Sequence, residues 1–557
     1  MIPNPKSARV LVIGLDGATF DLIKPWMAAG HLPVLAQLVR EGAHGYLRST
    51  IPTMSAPAWT SFMTGKNPGK HGVFDFGRRR PHDYEIQIVR NDLTRIGTFF
   101  GYLSRLGKRI ITINVPMTYP PEPVNGIMIS GLGAPEGGNF TYPKELRAQL
   151  VAKGYRVNNA VHYAVGREEA FIADVFETSN RRARIALELM QTTDWDCFVI
   201  VFRNTDEIMS FLWHDLDPSH PLHNPVRAAR YGGAILDFHR RMDEVVGELC
   251  AAAGENTHVL IMSDHGMGPL VKDVNLNLWL IDTGFMTLRQ PSPLVKAYQT
   301  LLRRTGLTRE NISRRIGPRR MEQLRQIFPP RFHTAIPSVE TTLSETVNWS
   351  KTRAYSLGWI GQIYINLKGR EPEGIVLPGS DYEAVLADLT SALWELEDPE
   401  TGERVVDAIW RKEELYTGPY LDVAPDLNII MKGMSYVTQL RREFSQDTIF
   451  ALPHDVTGVH RLDGILIAHG PEIRQGTEIQ GAQIIDVAPT ILHLMGVPVP
   501  EDMDGQVLTA LFASDESKAL SSAPAEPVLP SETLPDQWTE EDEQEILRRL
   551  TDLGYIN

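Results

Sequence analysis

Carboxylates and imidazoles recur in this chain where an apolar, strand-like run gives way to a turn. Gly14-Leu15-Asp16-Gly17 places Asp16 at the tip of one run, and Ser263-Asp264-His265-Gly266 places an Asp-His pair at the tip of another. Arg203-Asn204-Thr205-Asp206 follows a third run, and Thr457-Gly458-Val459-His460 precedes a fourth. Ser55 opens a helical pattern as its expected N-cap, with Pro57 in the first turn and Gly65 as terminator. Each feature alone is ordinary, since a strand-tip Asp usually serves a turn and a Ser before a helix usually caps it. Together they supply the mixed carboxylate and imidazole donors that suit Zn²⁺ or Mn²⁺. They also set a hydroxyl at a helix N-terminus, where backbone N–H groups and the helix dipole favour an anion. A serine held beside a metal as its alkoxide can attack phosphorus.

Such a constellation needs elements that bring distant residues to one place. Short apolar runs at 9–15, 109–115, 197–202, 258–262, 427–431 and 464–468 alternate with long stretches of helical period. Strands apolar on both faces and separated by helices predict an α/β fold, a mainly parallel sheet with helices on both faces. Ligands of such sheets collect at the carboxyl ends of the strands, which is where the residues above fall.

Composition narrows the class. The 557 residues are 43% hydrophobic and 22% charged, a globular balance that excludes a wholly disordered or fibrous chain. Lys and Arg number 55 against 69 Asp and Glu, a formal net charge of −14, so coating of nucleic acid is not expected. Cys197 and Cys250, the only two cysteines, are expected as buried free thiols and can build neither a disulfide framework nor a cysteine zinc site. No secretory signal and no apolar run of about 18 residues is evident, so a cytoplasmic protein without a transmembrane segment is expected.

Two stretches interrupt the α/β pattern. Residues 287–345 are rich in arginine, from Arg303 to Arg331, and read as a helical insertion or cap. After residue 513 the sequence turns to Ser, Ala, Pro and Glu, a flexible linker. It leads to Thr539-Glu540-Glu541-Asp542, a capping-box-like start of a terminal helix through Leu553. The expected organisation is a catalytic core in two parts, 1–286 and 346–512, split by the insertion at 287–345 and followed by the linker and helix of 513–557.

The segment from Pro52-Thr53-Met54-Ser55 to Gly69-Lys70-His71-Gly72 resembles the nucleophile region of the type I phosphodiesterase/nucleotide pyrophosphatase family, of the alkaline phosphatase superfamily. Further matches are Gly14-Leu15-Asp16-Gly17, Ser263-Asp264-His265-Gly266-Met267, Ala424-Pro425-Asp426-Leu427, Gly458-Val459-His460 and Asp486-Val487-Ala488-Pro489-Thr490. They occur in the family's order across roughly residues 8 to 510, about nine-tenths of the chain. A sulfatase of the same superfamily would need an arginine two residues after Pro57, where Trp59 stands.

The resemblance implies an alkaline-phosphatase-like core and two divalent metal ions, zinc or manganese. Asp16, Ser55, Asp264 and His265 would surround one ion, with Ser55 as nucleophile, and Asp206 and His460 would hold the other. The family adds a histidine four residues after that aspartate, and here the position is Ser210, which puts the second ion in doubt. His214 lies eight residues on, about 12 Å along a helix at 1.5 Å per residue, too far to replace it on an unbroken helix. The implied activity is metal-dependent hydrolysis of a phosphodiester or nucleotide pyrophosphate, with a small-molecule substrate and a phosphoryl-Ser55 intermediate. A phosphomonoesterase, a phosphoryl transferase or mutase, and a degenerate ligand-binding scaffold remain as alternatives.

Overall fold

A computed structural model describes residues 8–80, 84, 86–89, 97–289, 343–438, 448–454, 456–513, 523–524 and 539–552. Its central sheet is built from β1 (Arg9–Leu15), β2 (Ala43–Arg48), β3 (Ile110–Val115), β4 (Gly126–Ser130), β5 (Cys197–Phe202), β6 (Thr257–Met262) and β7 (Asp463–His469). In space these run β2-β7-β6-β1-β5-β3-β4, with short strands at both edges. The run from β6 to β4 is parallel, in a register that sets Val12 between Val199 and Leu260. β3, β5 and β6 are buried at every residue, and β1 at every residue after Arg9, so both faces of the sheet are covered.

The covering helices follow from the sequence period. Ser55–Thr64 (α1) packs with the helices at Phe99–Arg105 and Val487–Leu494. Glu168–Thr192 (α2), Asn204–Leu216 (α3) and Ala234–Ala253 (α4) pack on one another. Asn224 accepts from Val226 N–H and caps the short helix between α3 and α4. The fold class expected from the sequence is the one found, and four of the six expected strands belong to the parallel run.

Two expected strands need correction. The run at 464–468 lies in the central sheet but, as part of β7, is antiparallel to both neighbours. The run at 427–431 lies in a separate sheet, where Leu427–Met431 pairs antiparallel with Gln362–Ile365 and Val406–Arg411. That sheet has its own core around Trp349, Tyr355, Ile363, Leu389 and Leu427. A short run that is apolar throughout fits the middle of either kind of sheet, so periodicity alone does not separate them.

Residues 290–342, which carry most of the expected Arg-rich insertion, lie outside the described residues. Their flanks are paired: Arg289 N–H donates to Thr346 O at 2.9 Å and Asn348 N–H to Thr287 O at 2.8 Å. The expected linker also lies outside the described residues, apart from 523–524. The terminal helix Glu540–Asp552 (α5) opens with the anticipated capping box, in which Asp542 N–H donates to Thr539 Oγ1 and Thr539 N–H to Asp542 Oδ2. Its Ile546 and Leu550 are buried against the loop at Leu132–Pro135, after β4.

Candidate active site

Strand direction assembles the site. β1, β5 and β6 are parallel neighbours, so Asp16, the turn at Arg203–Asp206 and the Asp264-His265 pair all emerge at one edge of the sheet. Because β7 runs the other way, it is its amino end that reaches this edge, and His460 stands just before it. β2 is antiparallel to β7 and so ends at the same edge, where the chain enters α1.

Ser55 is the first residue of α1; the N-cap expected there is Met54 instead, with extended φ −132° and ψ 148°. A serine at the cap would spend its hydroxyl on the helix's own N–H groups, whereas Ser55 Oγ faces His265 Nε2 at 3.3 Å. The first intrahelical bond runs from Ala58 N–H to Met54 O, and Pro57 has no N–H. The N–H groups of Ser55 and Ala56 therefore lie ahead of the helical ladder, at the positive end of its dipole.

Two glycines let the neighbours close in. A Cβ on Gly14 would stand 2.6 Å from Trp59 Cη2, so only glycine lets this indole lie across β1. Trp59 Nε1 then donates to Asp16 Oδ2 at 3.1 Å. Gly17 takes φ +67°, and its N–H donates to Asp264 Oδ1 at 3.3 Å. Thr205 Oγ1 donates to the Asp16 carbonyl at 2.6 Å, tying the turn after β5 to the turn after β1.

Both histidines are oriented by backbone carbonyls. His265 Nδ1 donates to Gly266 O at 3.0 Å and His460 Nδ1 to Thr53 O at 2.8 Å. A carbonyl only accepts, so each Nδ1 carries a proton and each Nε2 points into the site. The two rings stack, with centroids 3.6 Å apart and planes at 21°. His265 Nε2 lies 3.2 Å from Asp264 Oδ2 and 3.6 Å from Asp16 Oδ1, and His460 Nε2 lies 3.4 Å from Asp206 Oδ2.

Asp16, Ser55, Asp206, Asp264, His265 and His460 are each no more than 1% exposed. Burial, then the facing Asp264 and Asp206 charges, push the Asp16 carboxyl well above the usual carboxylate range. Burial likewise raises Asp264 to about 7. Asp206 is held below the usual range, because the adjacent His460 outweighs its burial. Burial, helped by His460, lowers His265 to about 3, so its imidazole is neutral.

Donors of two compositions converge: Asp16, Asp264 and His265 form one group, and Asp206, His265 and His460 the other. Among the described residues, nothing donates a hydrogen bond to the buried Asp16 Oδ1 and Asp264 Oδ2, and no Lys or Arg pairs with either carboxylate. Crowded, desolvated carboxylates beside the neutral His265 imidazole fit a divalent cation, which supplies the missing positive charge.

Ser210 sits one turn along α3 from Asp206, and its Oγ donates to Asp206 Oδ1 at 3.4 Å. The helix is unbroken to Leu216, and His214 Nδ1 turns to Thr457 Oγ1 at 3.0 Å, away from both donor groups. Asp426, part of a matching motif, stands immediately before the strand Leu427–Met431 of the second sheet, where Arg370 and Lys412 hold it down to about 2 despite its burial.

Sequence reasoning passed over three residues at the site. Trp59 follows Ser55 at i+4 on one helix face, a spacing that was open to reading. Asp75 is buried and raised to about 7 by that burial, against lowering hydrogen bonds from Phe76 N–H, Trp359 N–H and Gln362. The Trp359 ring meets His460 edge-on at 5.3 Å, a contact between distant segments with no local signal.

Comparison with known proteins bears on the family and the fold. The profile of the family "type I phosphodiesterase / nucleotide pyrophosphatase" matches residues 10–447, a span that holds every expected site residue except His460. No curated protein sequence matches the chain. Among solved structures, phosphonoacetate hydrolase from Sinorhizobium meliloti 1021, in complex with phosphonoformate, is similar at TM-score 0.51 and 13% identity, over 88% of this chain and 96% of that one. Murine ectonucleotide pyrophosphatase/phosphodiesterase 5 is similar at TM-score 0.50 and 13% identity, over 91% of this chain and 100% of that one. At such identity these likenesses speak for the fold, which is alkaline-phosphatase-like; the profile match speaks for descent, and the chain belongs to the type I phosphodiesterase/nucleotide pyrophosphatase family of hydrolases.

Proposed function

We propose that this protein is a metal-dependent hydrolase of phosphodiester or nucleotide pyrophosphate bonds that works through a phosphoryl-Ser55 intermediate. The observation that carries the reading is the Ser55 hydroxyl, at the start of a ten-residue buried helix and 3.3 Å from His265 Nε2, which itself converges with the Asp16 and Asp264 carboxylates. Asp16, Ser55, Asp264 and His265 would hold one divalent ion, and Asp206 and His460 a second. When bound, such ions neutralise the carboxylates, lower the pKa of a coordinated hydroxyl and stabilise charge on phosphoryl oxygens.

Within this reading Ser55 Oγ attacks phosphorus in line, the Oγ–P bond forms and the ester or anhydride oxygen leaves. The Ser55 and Ala56 N–H groups, preorganised at the helix N-terminus, receive the non-bridging oxygens as charge builds on them. Water then attacks the same phosphorus and returns Ser55 to its hydroxyl form. Cys197 and Cys250 are free thiols, in keeping with a reducing compartment such as the cytoplasm. Among the described residues no helix is long and apolar enough to cross a membrane.

The test is hydrolysis of bis-p-nitrophenyl phosphate beside p-nitrophenyl phosphate, p-nitrophenyl sulfate and phosphonoacetate, with added Zn²⁺ or Mn²⁺. Diester turnover that vanishes in Ser55→Ala is the expected result. A preference for the monoester would replace the reading with a phosphatase or phosphoryl transferase. Turnover unaffected by Ser55→Ala would remove the serine intermediate.

A further inference from the structure

We infer that this chain holds one divalent ion tightly and a second only weakly, because its two donor groups share a single imidazole lone pair. The inference rests on the metal-dependent reading above and concerns how unequal the two positions are. His265 belongs to both groups. Its Nδ1 proton is committed to Gly266 O at 3.0 Å, so Nε2 offers one lone pair, and one lone pair serves one ion.

Three oxygen donors of the Asp16 and Asp264 group crowd that lone pair, and we assign it to them. His265 Nε2 lies 3.2 Å from Asp264 Oδ2, 3.3 Å from Ser55 Oγ and 3.6 Å from Asp16 Oδ1. With His265, that group offers four protein donors, the number that completes a closed tetrahedral site. The other group keeps Asp206 and His460. A zinc site ordinarily draws at least three ligands from the protein.

Among the described residues no third protein donor joins Asp206 and His460 once His265 is committed. Ser210 occupies the i+4 position that faces Asp206, but it offers only a neutral hydroxyl, directed at Asp206 Oδ1 at 3.4 Å. His214 is held by Thr457 Oγ1 at 3.0 Å. His460 is fixed by Thr53 O at 2.8 Å and cannot turn toward a different partner without breaking that bond. An ion at the second position therefore needs donors from outside the protein, and phosphoryl oxygens of a bound substrate are of the right chemistry.

The experiment counts metal. Full-length protein is stripped with chelator, reloaded with excess Zn²⁺, desalted, and assayed for zinc per chain by elemental mass spectrometry, with circular dichroism to verify folding. Wild type is expected to retain one zinc, Ser210→His two, and Asp264→Asn none. Calorimetric titration of wild type with Zn²⁺ gives the same answer without any variant: one tight step and one at least 100-fold weaker. Two zinc ions retained by wild type, or two steps of equal affinity, would overturn the inference while leaving the metal-dependent reading intact. No zinc retained by wild type and no tight step would overturn that reading itself, and the inference with it.

Discussion

Trp59 Nε1 donates to Asp16 Oδ2 at 3.1 Å, and the indole that makes this bond lies across Gly14. The helix that presents Ser55 thus also fixes the carboxylate opposite it, through a residue one turn further along. Partners that orient metal ligands typically contribute 10- to 100-fold in metal affinity or activity. Trp59→Phe keeps the ring and removes the donor. Zinc affinity, measured by competition with a chromophoric chelator, is expected to fall by roughly tenfold or more with little change in melting temperature. Unchanged affinity would mean that Asp16 is held by the backbone alone.

Gly14 sets how closely that ring can approach. An added Cβ meets Trp59 Cη2 at 2.6 Å and Val201 Cγ2 at 3.0 Å, so Gly14→Ala must displace one of them. Overpacking of this kind costs about 1–3 kcal/mol. Denaturant titration is expected to show that loss, and Gly14→Ala combined with Trp59→Phe should depart from the sum of the single changes, since the two side chains touch. Simple additivity would show that the strain is taken up elsewhere.

These two residues also show what could be read in advance. Asp16, Ser55, Asp206, Asp264, His265 and His460 were legible because each sits beside a strand end or helix start, and parallel topology gathers such positions at one edge. Strand direction at β7 was not legible, because a run apolar throughout looks the same in either direction. The sharing of His265 between two donor groups, the stack of His265 on His460 and the approach of Trp359 depend on segments far apart in the chain, which spacing cannot encode. Asp426 shows the opposite hazard: it lies in a motif that matches the family, yet its partners are Arg370, Lys412, Tyr382 and the Ile365 N–H.

Asp426 is accordingly expected to matter for stability rather than for chemistry. It is fully buried, and Arg370 Nη2 stands 2.6 Å and Lys412 Nζ 2.9 Å from its oxygens. Removing one partner of a buried ion pair costs about 3–5 kcal/mol. Asp426→Asn should lower the unfolding free energy from urea titration by that amount while zinc stoichiometry stays at the wild-type value. Asp264→Asn should do the reverse, losing metal with a smaller change in stability. A metal loss in Asp426→Asn at temperatures where it remains folded would count against this division.

The pH dependence of stability can be tested at a histidine remote from the site. His239 is 3% exposed, donates through Nδ1 to Ile235 O at 2.8 Å and has its pKa lowered to about 4, burial being the main cause. An unfolded histidine titrates near 6.5. Between these values the unfolded chain binds a proton that the folded chain refuses, so stability is present above about pH 6.5 and is lost as the pH falls toward 4. At pH 5 the loss amounts to about 2 kcal/mol. Buried carboxyls with raised pKa, such as Asp75, act in the opposite sense, so the total curve does not isolate the effect. The difference between wild type and His239→Leu does: their gap in unfolding free energy should shift by about 2 kcal/mol against wild type between pH 7.5 and pH 5. A gap that stays constant across that range would show that His239 accepts its proton in the folded protein, and that the buried neutral imidazole inferred from its surroundings is wrong.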